Sequence, residues 1–381
     1  MNIDHALVLL GGLSPARFVK HHWQRKPLLI RQALPGVQPL IARTELFALA
    51  ARDEVESRLI DHGGGDWRMK RGPLTRRSLP PLSRPGWTLL VQGLDLHVAA
   101  ARELLDRFRF LPDARLDDVM LSWASDGGGV GPHVDSYDVF LLQVQGQRRW
   151  RTGPVKNAQL IPGLPLKVLA DFEPTEEHVL DAGDMLYLPP GWGHEGVAQG
   201  ECMTASIGFR APTDDECARA MLARALDWLD DDEPGRLYRD GAQAASAEPG
   251  RIPDALSEFA AQALQRTLNR PGLLACALGE WLSEPKPQVW FDPGRETEPG
   301  ESLALDRRSR MLYDASHVFI NGESFAASGR DARLLRSLAD QRLLSARDLR
   351  SLSDEARALV HDWACAGWLR PVAELSGDAR E

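Results

Sequence analysis

Cysteine is scarce in this chain of 381 residues, which holds four, at positions 202, 217, 276 and 365. None forms a C-x-x-C pair, so neither a disulfide-stapled scaffold nor a zinc ribbon is expected, and a reducing compartment is implied. Long apolar runs are missing too, and no stretch reaches the length of a membrane span. Near the N-terminus Asp4 and His5 precede only the short Leu7–Leu10 run. No basic segment leads into an apolar core there, so a secretory leader is not expected. These absences point to the cytoplasm and away from membranes. Positive charge is also in short supply: 45 Lys and Arg against 54 Asp and Glu give a formal net charge of −9. Direct binding to nucleic acid normally needs the opposite balance and is not expected. An acidic enzyme acting on a cationic protein segment is compatible with it.

What is present is an ordinary globular composition, 43% hydrophobic and 26% charged, over a length that suits two or three domains. In the first part, Ser14-Pro15 reads as an N-cap with proline at the first helical position, and Lys26–Ile30 as a strand. From 116 to 210 the pattern changes to short β runs, at Asp118–Ser125, Tyr137–Val144, Arg148–Thr152, His178–Asp181, Met185–Leu188 and Cys202–Phe209. Turns at Asp126–Gly129, Gln145-Gly146 and Ala182-Gly183 separate them, which predicts a closed barrel or jelly roll. Helical periodicity returns at Asp214–Leu229 and over Pro253–Leu282, the latter interrupted at Arg270-Pro271. Asp230–Asp232 and Gly241–Gly250 read as surface loops, and Pro285–Gly300 as a linker. Beyond it, Asn321-Gly322 inside Val318–Phe325 signals a hairpin. Helices are predicted at Asp331–Asp340, Ser345–Leu349 and Ser353–Gly367, so the end of the chain looks like a winged-helix module.

The chemistry is concentrated in two segments. Gly131-Pro-His-Val-Asp135 offers His133 and Asp135 two residues apart, and successive strand residues point to opposite faces, so both can reach one metal while Val134 packs away. Downstream, Pro189-Pro-Gly-Trp-Gly-His194 ends a strand in a rigid corner that aims His194. Two imidazoles and one carboxylate are the ligand set of a non-haem Fe(II) oxygenase with open coordination positions. On the strand after Asp135, alternation groups Arg148 with Trp150 facing inward and Arg149 with Arg151 facing solvent. An inward guanidinium supplies a bidentate fork for the far carboxylate of a dicarboxylate cosubstrate. At the end of the chain, arginines alternate with Asp331, Asp340 and Asp348, which suits protein docking or a structural role better than phosphate binding.

The runs Gly128–Phe140, Arg148–Trp150, Gly183–Pro190 and Ser206–Arg210 resemble the JmjC family, and more narrowly its bacterial ribosomal-oxygenase branch. Phe18–Leu28 resembles the opening segment of that branch. The resemblance implies a mainly β fold with added helices. Residues 1–212 would be a double-stranded β-helix (cupin) JmjC domain with an N-terminal α/β extension, 213–290 a helical dimerisation domain and 301–381 a winged-helix-like domain. By position, His133, Asp135 and His194 match the metal triad and Arg148 the arginine that binds 2-oxoglutarate. The hydroxyl residue that assists it in the family falls on Ala124, flanked by Ser122 and Ser125. Ser122 and Ser206 are the candidates for the missing contact, with Met120, Tyr137 and Thr204 as further pocket residues.

The cofactors so implied are Fe(II), 2-oxoglutarate and dioxygen. The activity implied is C-3 hydroxylation of an arginine in large-subunit ribosomal protein sixteen, by a homodimer. Acidic and aromatic groups at the mouth would hold the guanidinium, and Asp126, Tyr137 and Asp138 are near enough in sequence to be considered. Three other readings are open at this stage: a histidyl hydroxylase of another ribosomal protein, a non-oxidative metal-binding cupin, and a DNA-binding regulator with a sensor barrel.

Overall fold

The structure, a computed structural model, describes residues 2–227, 229, 235–241, 244–298 and 300–372. The loop expected at Asp230–Asp232 lies outside the described residues, as do positions 242 and 243 of the loop expected at Gly241–Gly250. The chain divides into two compact units, Met1–Ala211 with Gln288–Trp290, and Pro212–Pro287 with Phe291–Glu381.

The first unit is built on one antiparallel sheet. Its strands are β1 (Leu28–Ile30), β2 (Ser57–Asp61), β3 (Arg68–Arg71), β4 (Trp87–Val91), β5 (Leu116–Ala124), β6 (His133–Val134), β7 (Asp138–Pro154), β8 (Glu176–Leu180), β9 (Met185–Leu188) and β10 (Trp192–Phe209). They run in the order β1-β9-β7-β10-β5-β4-β2-β3, with β6 also paired to β10 and β8 to β7. Helices α1 (Pro15–His21), α2 (Arg43–Leu49) and α3 (Ala99–Asp106) contribute Phe18, Leu46, Phe47, Leu104 and Leu105 to the large core on one face of the sheet. The Ser14 cap forms as the sequence predicts, its Oγ accepting from the Arg17 N–H at 3.3 Å.

Two differences from the expected strands matter for the site. The predicted runs Tyr137–Val144 and Arg148–Thr152 are one continuous strand, and Cys202–Phe209 is only the second half of β10, which already contains His194. The Gln145-Gly146 turn is instead an irregularity in the β7–β10 ladder, where the register shifts between Gln199 and Met203. Gly146 sits there at φ +64°, and a Cβ on it would stand 2.3 Å from the Glu201 carbonyl oxygen. Passing it reverses the inside–outside alternation. Phe140, Leu142 and Val144 belong to the large core, whereas Trp150 packs with Val139, Leu141, Leu180, Leu186 and Leu188 on the opposite face.

The second unit starts with α4 (Asp214–Asp227), α5 (Asp254–Leu268) and α6 (Leu273–Ser283). Strands β11 (Leu303–Leu305), β12 (Met311–Tyr313), β13 (His317–Ile320) and β14 (Glu323–Ala326) follow, then α7 (Gly329–Gln341), β15 (Leu343–Leu344), α8 (Ala346–Ser351), α9 (Asp354–Cys365) and β16 (Leu369–Pro371). Asn321 and Gly322, at φ +50° and +92°, make the predicted β13–β14 hairpin turn. Leu335, Leu338, Val360 and Trp363 of α7 and α9 close a core over Leu303, Val318 and Ile320. No helix among the described residues is long and apolar enough to cross a membrane.

Gly146→Ala forces both a positive φ and a backbone clash, so it should lower the unfolding free energy by about 1–3 kcal/mol. Chemical denaturation of the variant beside the parent measures it.

Candidate metal centre

Strand pairing brings the two distant halves of the motif together. His133 on β6 pairs directly with His194 on β10, and His194 also faces Thr152 on β7. The imidazole centroids are 4.2 Å apart. Asp135 Oδ2 lies 3.8 Å from His133 Nε2 and 3.6 Å from His194 Nε2, so one carboxylate oxygen and both Nε2 atoms converge on a common point. Among the described residues these three are the only group of His, Cys, Asp and Glu side chains able to hold a metal ion together, their ligand atoms all within 4.8 Å of one another. The local route differs from simple alternation. Strand β6 is two residues long, and Asp135 lies just beyond it, held where the Gly191 N–H donates to its carbonyl at 3.0 Å.

Both histidines are oriented by the same device. His133 Nδ1 is 3.0 Å from the Gly131 carbonyl and His194 Nδ1 is 3.2 Å from the Trp192 carbonyl, each two residues back. A donor at Nδ1 leaves Nε2 as the lone-pair nitrogen, which is the form a metal requires. Gly131, at φ +78°, lies with its missing Cβ position 3.1 Å from the Trp67 ring. Burial and the neighbouring His133 push the His194 pKa down to about 4 from 6.5, against the opposing pull of Asp135. His194 is therefore neutral near pH 7.

Arg148 enters the same barrel from β7. It is 5% exposed, and only Nη1 is occupied, donating to Ser122 Oγ at 3.1 Å; Nε and Nη2 are buried without a partner. Trp150 lies beside it, the guanidinium carbon 5.8 Å from the ring centroid. A cation–π contact contributes about 0.5–2 kcal/mol, which does not offset the several kcal/mol cost of taking a cation out of water. The site is thus short of one anion with two acceptor oxygens, and a carboxylate supplies them. Around it, Thr204 Oγ1 donates to Gln143 Oε1 at 2.8 Å, and Gln143 Nε2 donates to the Gln145 carbonyl at 2.8 Å.

The remaining sequence candidates separate clearly. Ser122 reaches Arg148, whereas Ala124 packs with Ala198 and Cys202, and Ser125 Oγ serves the backbone of Trp87. Ser206 pairs with Met120 across the β5–β10 ladder without a hydrogen bond to Arg148. Arg149 and Arg151 face outward to Glu177 and Glu195. Asp138 is no mouth residue: it is fully buried, accepting from Tyr187 Oη at 2.6 Å and Gln24 Nε2 at 3.2 Å. Asp126 is exposed but spends Oδ1 on the Gly200 N–H at 2.8 Å. Tyr137 is 38% exposed, and its hydroxyl pKa is raised by burial and by Asp135, Asp118 and Asp117. Gly208 leaves room between Asp118 Oδ1 and the Tyr137 ring, each 3.9 Å from where a Cβ would be. Thr152 follows Arg148 and Trp150 inward by simple alternation, and Gln143, on the other side of the Gly146 irregularity, lies on the inward face with Val139 and Leu141.

Because His194 titrates at about 4 when folded against 6.5 as its ordinary value, the folded state binds fewer protons between those values. The stability so contributed is complete above pH 6.5 and is lost as pH falls through about 4. The metal-free protein should therefore lose stability over that window, and His194→Gln should flatten the profile of melting temperature against pH.

Comparison with known proteins agrees with this geometry. Residues 103–217 match a JmjC domain and residues 263–370 a ROXA-like winged helix. The ribosomal protein uL16 3-hydroxylase of Escherichia coli is 33% identical over 341 residues, covering 86% of this chain and 89% of its own. A probable ribosomal oxygenase of Haemophilus influenzae is 35% identical over 52% of this chain and 50% of its own. Among solved structures, E. coli ycfD superposes with a TM-score of 0.84 at 30% identity, covering 94% of this chain and 98% of that one. The same E. coli ribosomal oxygenase in complex with cobalt and 2-oxoglutarate superposes with a TM-score of 0.79 and the same coverage. Similarity of this extent, in sequence and in fold, places the chain in the JmjC ribosomal-oxygenase family, in the branch that carries a ROXA-like winged helix.

Proposed function

We propose that the protein is an Fe(II)- and 2-oxoglutarate-dependent hydroxylase that oxidises C-3 of an arginine in ribosomal protein uL16 of the large subunit. The observation that carries this reading is the pairing of two features in one barrel. His133, Asp135 and His194 converge on a metal-sized point, and Arg148 holds two buried, unpartnered nitrogen donors in the same barrel. In this reading the three side chains are the metal ligands, and Arg148 with Ser122 holds the far carboxylate of 2-oxoglutarate; Ser206 is a second hydroxyl on the pocket wall. The bound iron, with 2-oxoglutarate and dioxygen, supplies the oxidising chemistry, yielding succinate, carbon dioxide and a hydroxylated carbon. The protein's own part is to bind and orient. The Nδ1 contacts fix the imidazoles, burial keeps His194 unprotonated, and the apolar wall of Val139, Leu141, Leu186 and Leu188 excludes water.

At the mouth, Tyr137 beside Asp118 and Asp135 offers an aromatic face among carboxylates, which suits a guanidinium better than a neutral imidazole. In this reading 1–212 is the oxygenase domain, the helical stretch 213–290 serves homodimerisation, and 301–381 is a winged-helix-like domain. In support, α5 buries none of its residues, and Leu226 of α4 and Leu264 of α5 are 66% and 54% exposed, leaving apolar faces that a second copy would cover. A cytoplasmic location and no direct contact with nucleic acid complete the reading.

Incubation with Fe(II), 2-oxoglutarate and a uL16 fragment, followed by tandem mass spectrometry, should add one oxygen atom to an arginine. Addition on a histidine of another ribosomal protein, with none on uL16, overturns the substrate assignment. His133→Ala or Asp135→Ala should abolish both metal binding and turnover, while Arg148→Ala should remove 2-oxoglutarate binding and keep the metal. For the dimer, Leu226→Glu combined with Leu264→Glu should give a monomer by light scattering.

A further inference from the structure

Strand β7 carries three successive inward residues, Arg148, Trp150 and Thr152, and every one of them holds a buried polar hydrogen with no acceptor. The unpartnered atoms are Arg148 Nε and Nη2, Trp150 Nε1 and Thr152 Oγ1. The residues are 5%, 5% and 0% exposed. Buried donors are almost always paired, and each one left alone costs about 1–3 kcal/mol. Three in a row along one strand face amount to a track, not a scatter of packing defects.

Position along the ladder gives the track two ends. On β10, Arg148 faces Ala198, Trp150 faces Gly196 and Thr152 faces His194. The rungs are about 6.6 Å apart, two residues of strand. Trp150 lies between these rungs: its ring centroid is 5.9 Å from that of His194, and the Arg148 guanidinium carbon is 5.8 Å from the same centroid. The opposite strand is cleared for the indole, because a Cβ on Gly196 would stand 2.7 Å from Trp150 Cη2. The donors therefore lead from a cationic fork, past an indole N–H, to a hydroxyl directly opposite a metal-ligand histidine.

We infer that Trp150 and Thr152 are positioning residues for the cosubstrate diacid. The Trp150 indole N–H donates to the carboxylate that Arg148 anchors, and the Thr152 hydroxyl donates to the carboxylate on the metal side. This rests on the reading of Arg148 as the 2-oxoglutarate arginine and extends it: one guanidinium anchors a carboxylate but leaves the rest of a flexible five-carbon chain free to rotate. Two further donors along the same strand face fix it in a single extended conformation.

The test is the affinity of protein loaded with Co(II), which permits binding without turnover, for 2-oxoglutarate by isothermal titration calorimetry. Trp150→Phe keeps a ring over Gly196 and removes only the N–H, and Thr152→Val removes only the hydroxyl. Each should weaken 2-oxoglutarate about tenfold, the loss of one hydrogen bond to a charged group, with Co(II) affinity and melting temperature unchanged. Thr152→Ser should restore the affinity, which a packing role would not do. Oxalate, which carries only the metal-side half of the cosubstrate, should lose affinity in Thr152→Val and keep it in Arg148→Ala. If Arg148→Ala abolishes 2-oxoglutarate binding while Trp150→Phe and Thr152→Val bind like the parent protein, the track is refuted and the oxygenase reading stands. If the parent protein loaded with Co(II) fails to bind 2-oxoglutarate, both fall.

Discussion

The pairing of β7 with β10 is the constraint on which the rest of the site depends. These two strands are paired from Asp138–Phe209 at one end to Pro154–Trp192 at the other, with two register shifts close to Gly146, between Gln199 and Met203 and between Met203 and Thr204. The interruption reverses the alternation, and so places Arg148, Trp150 and Thr152 on the same face as Val139 and Leu141. Without it those residues would share the face of Phe140 and Leu142, in the large core. A one-residue slip of β7 beyond Gly146 would turn Arg148, Trp150 and Thr152 to the opposite face.

Burial does the remaining work, and it acts in opposite ways on the two charged partners. For His194 it removes the proton and readies a nitrogen lone pair. An arginine cannot respond in that way, because its guanidinium stays charged at any accessible pH. Arg148 is consequently held as a cation in a dry barrel, and the free energy stored there is recovered only when an anion enters. Asp138 illustrates the contrasting case of a buried carboxylate satisfied on the spot. Burial raises its pKa, and hydrogen bonds from Tyr187 and Gln24, with the Arg115 charge, pull it back. It ties the N-terminal segment to the sheet and has no free acceptor to offer a substrate.

The second unit follows a different economy of surface. Its winged-helix portion has a closed core, with the buried Asp306 carboxylate held by Arg308 and Arg370 at 2.8 and 2.9 Å. Helices α4 and α5 ahead of it are amphipathic without a full complement of neighbours, and their leucines stay exposed.

Much of this was legible in the residues alone. The inward Arg148–Trp150 pair is a local pattern that alternation carries into three dimensions, whereas Asp135 lies just past β6 and its backbone carbonyl accepts from the Gly191 N–H. The Asn321-Gly322 hairpin and the Ser14 cap were readable as local patterns too. Which hydroxyl meets Arg148 was not. Ser122, Ser125 and Ser206 were equivalent as residues, and only the register of β5 against β10 and the reach of a guanidinium across the barrel select Ser122. Asp138 looked like a mouth residue by proximity in sequence and is sealed by a tyrosine from a strand far along the chain. Composition and spacing thus determined the class of chemistry, since ligand types and strand periodicity are written one residue at a time. The choice among neighbouring hydroxyls and carboxylates was left to tertiary structure, because burial and partners arise only where distant segments meet.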